Sequence, residues 1–455
     1  MGFLFARNFI IATFVRGRSF VQRAGMGKDI LNIESVFKMR LVYKFNIGKN
    51  EELSRLCKIS NNLYNQALYI FRETLSKEDK WLSYYELNNI LIKTKNLDGE
   101  VNYKLLKAQC SQQILRVLDK NIKSYYRSIH DFKKNPCKYR GKPELPKYKK
   151  RGSEFSLFFT NQSCSIRQGR IILSKDLFID IPQYDKYCCR ISNFKQVRII
   201  PLFVGYKVEI VYDIENKIIE DIRDEKVASI DLGIDNLVTL ISEDCNFIFS
   251  GRFVKSYNQF FNKTLSRLIS IKDLQRIRKT TNRIKKLYYD RDRYLEDVFH
   301  KISRRIVDIL IDSRVTKLIV GYNKGWKTGV NMGKKNNQKF TQIPFARLIS
   351  YLEYKCRLSG IEFVVNEESY TSKCDALALE PISKHDSYLG KRIKRGLFQS
   401  SVGKLINADV NGALNIMRKV VGDSNGVIQR IIDSGLLFNP VRVRSVFPRE
   451  CLLLN

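Results

Sequence analysis

ASIDLGIDNLVTLIS, residues 228–242, decides how the rest of this chain is read. An apolar strand runs into Asp231, and Gly233 lets the chain continue into a second apolar strand. An acid on a buried strand is costly unless something cationic, such as a metal ion, meets it. A shared metal needs further carboxylates, and the chain carries them far downstream, at Glu367, Glu368 and Asp409.

Outward from that stretch, VASID, NLVTLI and NFIFSGRF follow one another so closely that antiparallel pairing is expected. A helical period then covers about 256–312, with a strongly basic middle at 272–293. TKLIVGY reads as a buried strand, RLISYLEYKCRLSG as a helix ending at Gly360, and IEFVVN as another strand. Residues 408–420, ADVNGALNIMRKV, form a helix opened by Asp409, a position where an aspartate alone also suits an N-cap. Three antiparallel strands followed by alternating helix and strand describe an RNase H-like α/β fold. Residues 226–420 are assigned to it, with a basic insertion at 369–405 and a C-terminal tail at 421–455.

The first half reads differently. MRLVYKFNI, 39–47, alternates as a strand does, and folded sequence is expected to begin near Met39 after an N-terminal extension, 1–38. From about 51 to 131 the period is helical, and short strands punctuated by turns return over 155–214. A β-barrel-like module of 39–50 and 153–222 is therefore expected, carrying 51–152 as a helical insertion. The basic run KKNPCKYRGKPELPKYKKRG closes that insertion, its prolines keeping it extended as a linker.

Composition narrows the partner. In 455 residues, 81 Lys+Arg stand against 46 Asp+Glu, a formal net charge of +35. Such an excess points to a polyanion, and nucleic acid is the reading taken over an anionic membrane surface. No run reaches the roughly 20 apolar residues of a membrane span. Ten cysteines contain no CxxC pair, and only 3 histidines accompany them, so neither zinc nor a disulfide framework is expected. Candidate nucleic-acid contacts are Lys133, Lys134, Lys138, Arg140, Lys149, Lys150 and Arg151 in the basic run. Arg276, Arg278, Lys279, Arg283, Lys285 and Lys286 are proposed for the basic helical stretch, and Lys391, Arg392 and Arg395 for the insertion. For the helical stretch the bland alternative is a solvated charged face.

Several runs then carry a resemblance: IDLGIDNL at 230–237, KSYNQFFNK at 255–263, IVGYNKGWK at 319–327, NNQKFTQIPF at 336–345, EESYTSKC at 367–374, GKRIKRGLF at 390–398 and INADVNGALNIMRK at 406–419. Over about 39–420 the chain resembles the OrfB/TnpB family of insertion-sequence proteins, relatives of Fanzor proteins and type V CRISPR nucleases. The resemblance implies an RNA-guided DNA endonuclease, historically called a transposase, with a RuvC-type acidic site. Its metal ligands would be Asp231, a glutamate and Asp409, holding Mg2+ or Mn2+ for two-metal phosphodiester cleavage. Guide RNA and target DNA would be its partners, with no membrane involved and the oligomeric state left open. Its compartment would be the cytoplasm (nucleoid) of a prokaryote, or the nucleus for a eukaryotic or viral host.

Two departures from the family pattern matter. Gly321 stands where a glutamate is usual after the fourth strand, and EESYTSK offers the acid one strand later. Neighbouring strands lie about 4.8 Å apart, within reach of a glutamate side chain. Glu368 is preferred, with Glu367 the alternative. Cys374 also stands without the other cysteines of the family's zinc ribbon. Two rival functions are a catalytically inactive RNA-guided DNA-binding protein and a DNA transposase proper.

Overall fold

The first sheet is built on a strand buried on both faces: Leu41, Tyr43 and Phe45, on one face, are all at most 2% exposed, and Val42 and Lys44, on the other, are also buried. The computed structural model describes residues 9–13, 33–191, 193–220, 226–323 and 342–444. The chain divides into two units, mostly Phe37–Asn216 and Lys217–Asn455. Residues 324–341, within two of the family-like runs, lie outside the described residues, as do 1–8, 14–32 and 445–455.

The first unit runs β1 (Phe9–Thr13), β2 (Ile33–Ile47), α1 (Glu51–Glu78), α2 (Tyr84–Leu91) and α3 (Ala108–Lys134). It continues through β3 (Leu157–Thr160), β4 (Ser165–Arg167), β5 (Arg170–Ile172), β6 (Phe178–Asp180), α4 (Tyr184–Ile191), β7 (Phe194–Leu202) and β8 (Gly205–Glu220). One sheet has the order β1-β2-β8-β7-β3 and a second the order β4-β5-β6. Strand β2 begins at Ile33, and β1 pairs with it antiparallel, Leu41 opposite Ala12. The fold therefore takes up part of the expected extension, which no apolar periodicity had marked.

Helix α1 starts where Asn50 accepts a bond from Leu53 N–H, with Glu51 and Glu52 favourably placed in its first turn. Leu53, Cys57, Tyr64, Leu68 and Phe71 recur at helical spacing and are buried. The short helix α2 was not anticipated, although SYYE at 83–86 spells its capping box. The basic run after α3 is docked rather than free. Asn65 Nδ2 donates to Lys149 O (2.9 Å), Lys149 N donates to Asn65 Oδ1 (2.8 Å), and Arg72 donates to Pro146 O (2.7 Å).

The second unit begins β9 (Val227–Leu232), β10 (Asn236–Ser242), β11 (Asn246–Ser250), α5 (Arg252–Leu274), α6 (Asn282–Asp312), β12 (Lys317–Gly321), α7 (Phe345–Leu358) and β13 (Glu362–Asn366). It ends β14 (Lys391–Lys394), β15 (Leu397–Gln399), β16 (Leu405–Asn407), α8 (Ala408–Val421), α9 (Val427–Asp433) and β17 (Val441–Val443). The sheet order is β13-β12-β9-β10-β11-β17. Strands β9, β10 and β11 pair antiparallel, while β12 joins β9 and β13 joins β12 in parallel. This is the expected α/β arrangement, with β9 at its centre.

Helix α8 lies on β9, β10 and β12. Its Ala413, Leu414, Ile416 and Met417 are fully buried, and Ser229 of β9 donates to Ala413 O at 2.7 Å. Two expectations are corrected. The long basic helix is two helices broken over 275–281, where Thr281 caps α6 by accepting from Ile284 N–H. The C-terminal tail is part of this unit: Val427, Ile428, Ile431 and Leu437 enter the same core as Ile241, Ile319 and Leu414.

Helices α6 and α7 enclose a lysine. Lys355 is 8% exposed, and its Nζ donates to His300 O (2.7 Å) and Ser303 Oγ (2.6 Å). Burial lowers its pKa from 10.5 to about 7, with the Arg304 charge adding to the effect. Between those values the unfolded chain holds a proton that the folded chain has released, so stability rises with pH across that window and the full penalty applies below it. Lys355→Met is expected to raise the stability of this unit at neutral pH by about 1–3 kcal/mol and to flatten that rise. Urea unfolding at several pH values between 6 and 10 would check both.

Candidate active site

The acids are brought together by strand ends and by glycines that leave them room. Asp231 lies on β9 opposite Thr239 of β10, among fully buried neighbours. Its carboxylate lies where a Cβ on Gly412 of α8 would stand, 2.8 Å from Oδ2. Any larger residue at 412 would push against that carboxylate.

Gly321 ends β12, and a Cβ there would fall 2.7 Å from Glu368 Oε1, 2.8 Å from Glu368 Cγ and 2.4 Å from Ile416 Cδ1. The glutamate from the next strand thus occupies the space that a side chain at 321 would need. Strand β13 stops at Asn366, where Tyr322 N donates to Asn366 O at 2.8 Å. The chain then turns: Glu368 N donates to Asn323 Oδ1 (2.9 Å), and Thr371 Oγ1 donates to Glu368 O (2.8 Å). That turn separates the two glutamates. Glu367 is exposed, its carboxylate accepting from Ser369, whereas Glu368 Oε1 is buried without a hydrogen-bond partner.

Asp409 is the second residue of α8 rather than its cap. Asn407 is the N-cap, accepting from Asp409 N at 2.9 Å, which leaves the aspartate side chain free to face the site. Asp409 Oδ2 accepts from Asn236 Nδ2 at 2.6 Å, and Arg392 approaches Oδ1 at 3.7 Å. The role of Asn236 was not anticipated, although it sits inside the quoted IDLGIDNL run.

Electrostatics record the crowding. Burial, then the charges of Asp409 and Glu368, raise the Asp231 pKa well above the ordinary carboxylate value, against smaller lowering by Leu232 N–H and Arg392. Burial pushes Glu368 up to about 7. Two oxygen donors short of positive charge, one with an orphaned buried atom, suit a hard divalent cation. As the side chains stand, however, no three His, Cys, Asp or Glu among the described residues form a closed metal-ligand group.

The expected nucleic-acid residues sort unevenly. Lys133, Lys134, Arg140, Lys150 and Arg151 are exposed in the first unit. Lys138 is exposed but paired with Asp131 at 2.7 Å. Lys149 departs from the expectation: its Nζ lies 4.4 Å from the Tyr64 ring centre and 4.0 Å from that of Phe155, and burial lowers its pKa. Arg276, Arg278 and Lys279 are exposed between α5 and α6; Arg283, Lys285 and Lys286 are exposed on the first turns of α6, with Lys286 bound to Asp290 at 2.6 Å. Lys391, Arg392 and Arg395 are exposed on the β14–β15 hairpin, where Arg395 pairs with Asp235.

This sheet order, three antiparallel strands extended by two parallel ones, is that of an RNase H-like α/β fold. The family model OrfB_IS605, described as "Probable transposase", matches residues 209–327, and the model "Cas12f1-like, TNB domain" matches 345–416. A curated relative, the TnpB-like protein ORF457 of Acidianus two-tailed virus, is 25% identical over 213 residues, 44% of this chain. The match spans 43% of that relative's length. A chain of the Cas12f1-sgRNA-target DNA complex solved by cryo-EM is similar in fold, with a TM-score of 0.52 and 16% identity, over 80% of this chain and 82% of that one. The resemblance to the TnpB/OrfB family holds. No helix among the described residues is long and apolar enough to cross a membrane.

Gly321→Ala is expected to destabilise the second unit by about 1–3 kcal/mol, because Ile416 and Glu368 must both move. Denaturant unfolding of the variant measures the cost. An unchanged midpoint would contradict the packing described for Glu368.

Proposed function

We propose that this chain is an RNA-guided, metal-dependent DNA endonuclease in which Asp231, Glu368 and Asp409 hold the catalytic cations. The observation that carries this reading is the convergence of Asp231 and Glu368, each with its pKa raised by burial, beside the Asp409 charge. Acids kept together at that cost are explained by a cation that all three serve. A bound pair of divalent ions would supply a nucleophile from water and stabilise both the attacking and the leaving oxygen of the phosphodiester.

The chain's own residues contribute orientation and charge. Asn236 fixes Asp409 by one hydrogen bond, Asn323 anchors the Glu368 backbone, and Gly321 and Gly412 leave room for the Glu368 and Asp231 carboxylates. Arg392 and Arg395 lie on the acidic rim, where a phosphodiester backbone would meet them. With a formal net charge of +35, the chain would hold an RNA guide and a guide–target duplex mainly through the backbone, leaving sequence to base pairing. The open-ordered five-stranded sheet, with its helical insertion and exposed basic run, is proposed as the part that holds the guide.

One observation favours a second reading. As the side chains stand, no three His, Cys, Asp or Glu among the described residues close a metal-ligand group, an arrangement that also suits a guided DNA-binding protein that does not cut. Cleavage decides between them.

With guide RNA transcribed from the sequence flanking the gene, and with Mg2+, a matching DNA target is expected to be cut. Asp231→Ala and Glu368→Gln are expected to lower the cleavage rate at least about 100-fold, while Glu367→Gln stays within about threefold of the parent. Target binding without cutting by the parent chain would favour the binder, and full activity in Asp231→Ala would refute the site.

A further inference from the structure

A zinc ribbon is implied by the resemblance for the stretch before α8, and the side chains there do not suit one. Cys374 turns its thiol towards two carbonyls, Pro381 O at 3.5 Å and Ser383 O at 3.7 Å. A carboxylate gathers the stretch instead. Asp375 is fully buried, and its Oδ2 accepts from Ser400 Oγ (2.8 Å), Ser401 N (2.7 Å) and Ser401 Oγ (3.0 Å). Its Oδ1 accepts from Leu377 N (3.2 Å) and Ala378 N (3.3 Å). Hydrogen bonds to an ionised carboxylate are among the strongest a chain makes, and a buried network with every member satisfied has one geometry.

A second buried acid extends the tie. Glu380, 3% exposed, accepts from Asp375 N (2.6 Å) and Leu389 N (2.9 Å). The two carboxylates thus bind residues 375–380 both to the entry of β14 and to the turn between β15 and β16. On the other side, Asn411 of α8 receives Ala376 N (3.0 Å) and donates to Cys374 O (2.8 Å). With both ends held, the hairpin lies with Arg392 beside Asp409 and Arg395 on Asp235.

We infer that Asp375 is a positioning residue which does, with hydrogen bonds, what a structural metal does in a ribbon: it holds the Arg392–Arg395 edge over the acidic site to grip the phosphates of a nucleic-acid strand. Only the claim that this strand is the one cut rests on the nuclease reading. The hairpin's order and its grip on a DNA strand do not.

The full chain is tested for zinc by elemental analysis, for amide exchange, and for anisotropy binding of a fluorescein-labelled single-stranded DNA. Well under one zinc per chain is expected, with thermal unfolding unchanged by 1,10-phenanthroline. Asp375→Asn is expected to speed exchange across 389–407 while leaving 226–250 protected, and to weaken DNA binding about tenfold. Arg392→Gln alone weakens it comparably, and the double variant is no weaker than the worse single one, because Asp375 acts through Arg392. Additive losses, which a merely structural role would give, overturn the inference, as does stoichiometric zinc. Should Asp375→Asn fail to fold, Ser401→Ala removes one hydroxyl donor and is expected to loosen the same amides and weaken binding in the same direction; unchanged exchange in that variant also overturns it. A parent chain that never cuts DNA would sink the endonuclease reading while leaving these measurements standing.

Discussion

Like charges meeting at the end of a central strand are the constraint on which the second unit depends. Asp231 is pushed up by burial, by Asp409 and by Glu368 together, and the fold supplies no buried lysine or arginine on the same strand to offset them. Room for those acids is made by subtraction. Gly412 lets the Asp231 carboxylate lie against α8, and Gly321 lets Glu368 cross from the next strand. Each glycine is explained by a close approach, not by an unusual backbone angle.

Helix α8 is the element through which these contacts are shared. One face packs Ala413, Leu414 and Met417 into the core. Its polar edge holds the loop that follows β13: Asn415 donates to Thr371 O (2.9 Å) and Cys374 O (2.8 Å), and Lys419 donates to Ser369 O (2.9 Å). Arg418 joins in, donating to Asn415 Oδ1 and Glu380 O while pairing with Asp423 at 2.7 Å. The same helix therefore seats Asp409, supports the turn that aims Glu368, and anchors the insertion bearing Arg392. Packing and site geometry are one problem in this unit.

The basic residues show how far composition reaches. Their abundance points to a polyanion, yet their individual fates follow local geometry. Lys149 lies between Tyr64 and Phe155 because Asn65 pins its own N–H and carbonyl and Asn61 pins the carbonyl of Lys150. Lys138 and Lys286 are matched by carboxylates, and screening by water makes such exposed pairs worth little. Arg392 and Arg395 differ in that their partners, Asp409 and Asp235, lie at the acidic rim itself.

Local pattern marked β9 to β13 and the helical stretches between them, since their central strands are continuous apolar runs and their helices keep a 3.6-residue apolar period. It also marked Asp231 and Asp409, each at the edge of a strongly apolar element. Where the pattern was weak or short it missed elements: α2, α9 and β1 draw their stability from contacts far away in sequence. It likewise could not break the basic helical stretch at 275–281, nor rank Glu368 over Glu367 except by resemblance. That choice depends on where β13 stops and how Asn323 and Thr371 turn the chain, which are contacts between separate segments. Only the tertiary structure could fill the space above Gly321 with a glutamate from the neighbouring strand, because a cavity belongs to no single stretch of sequence.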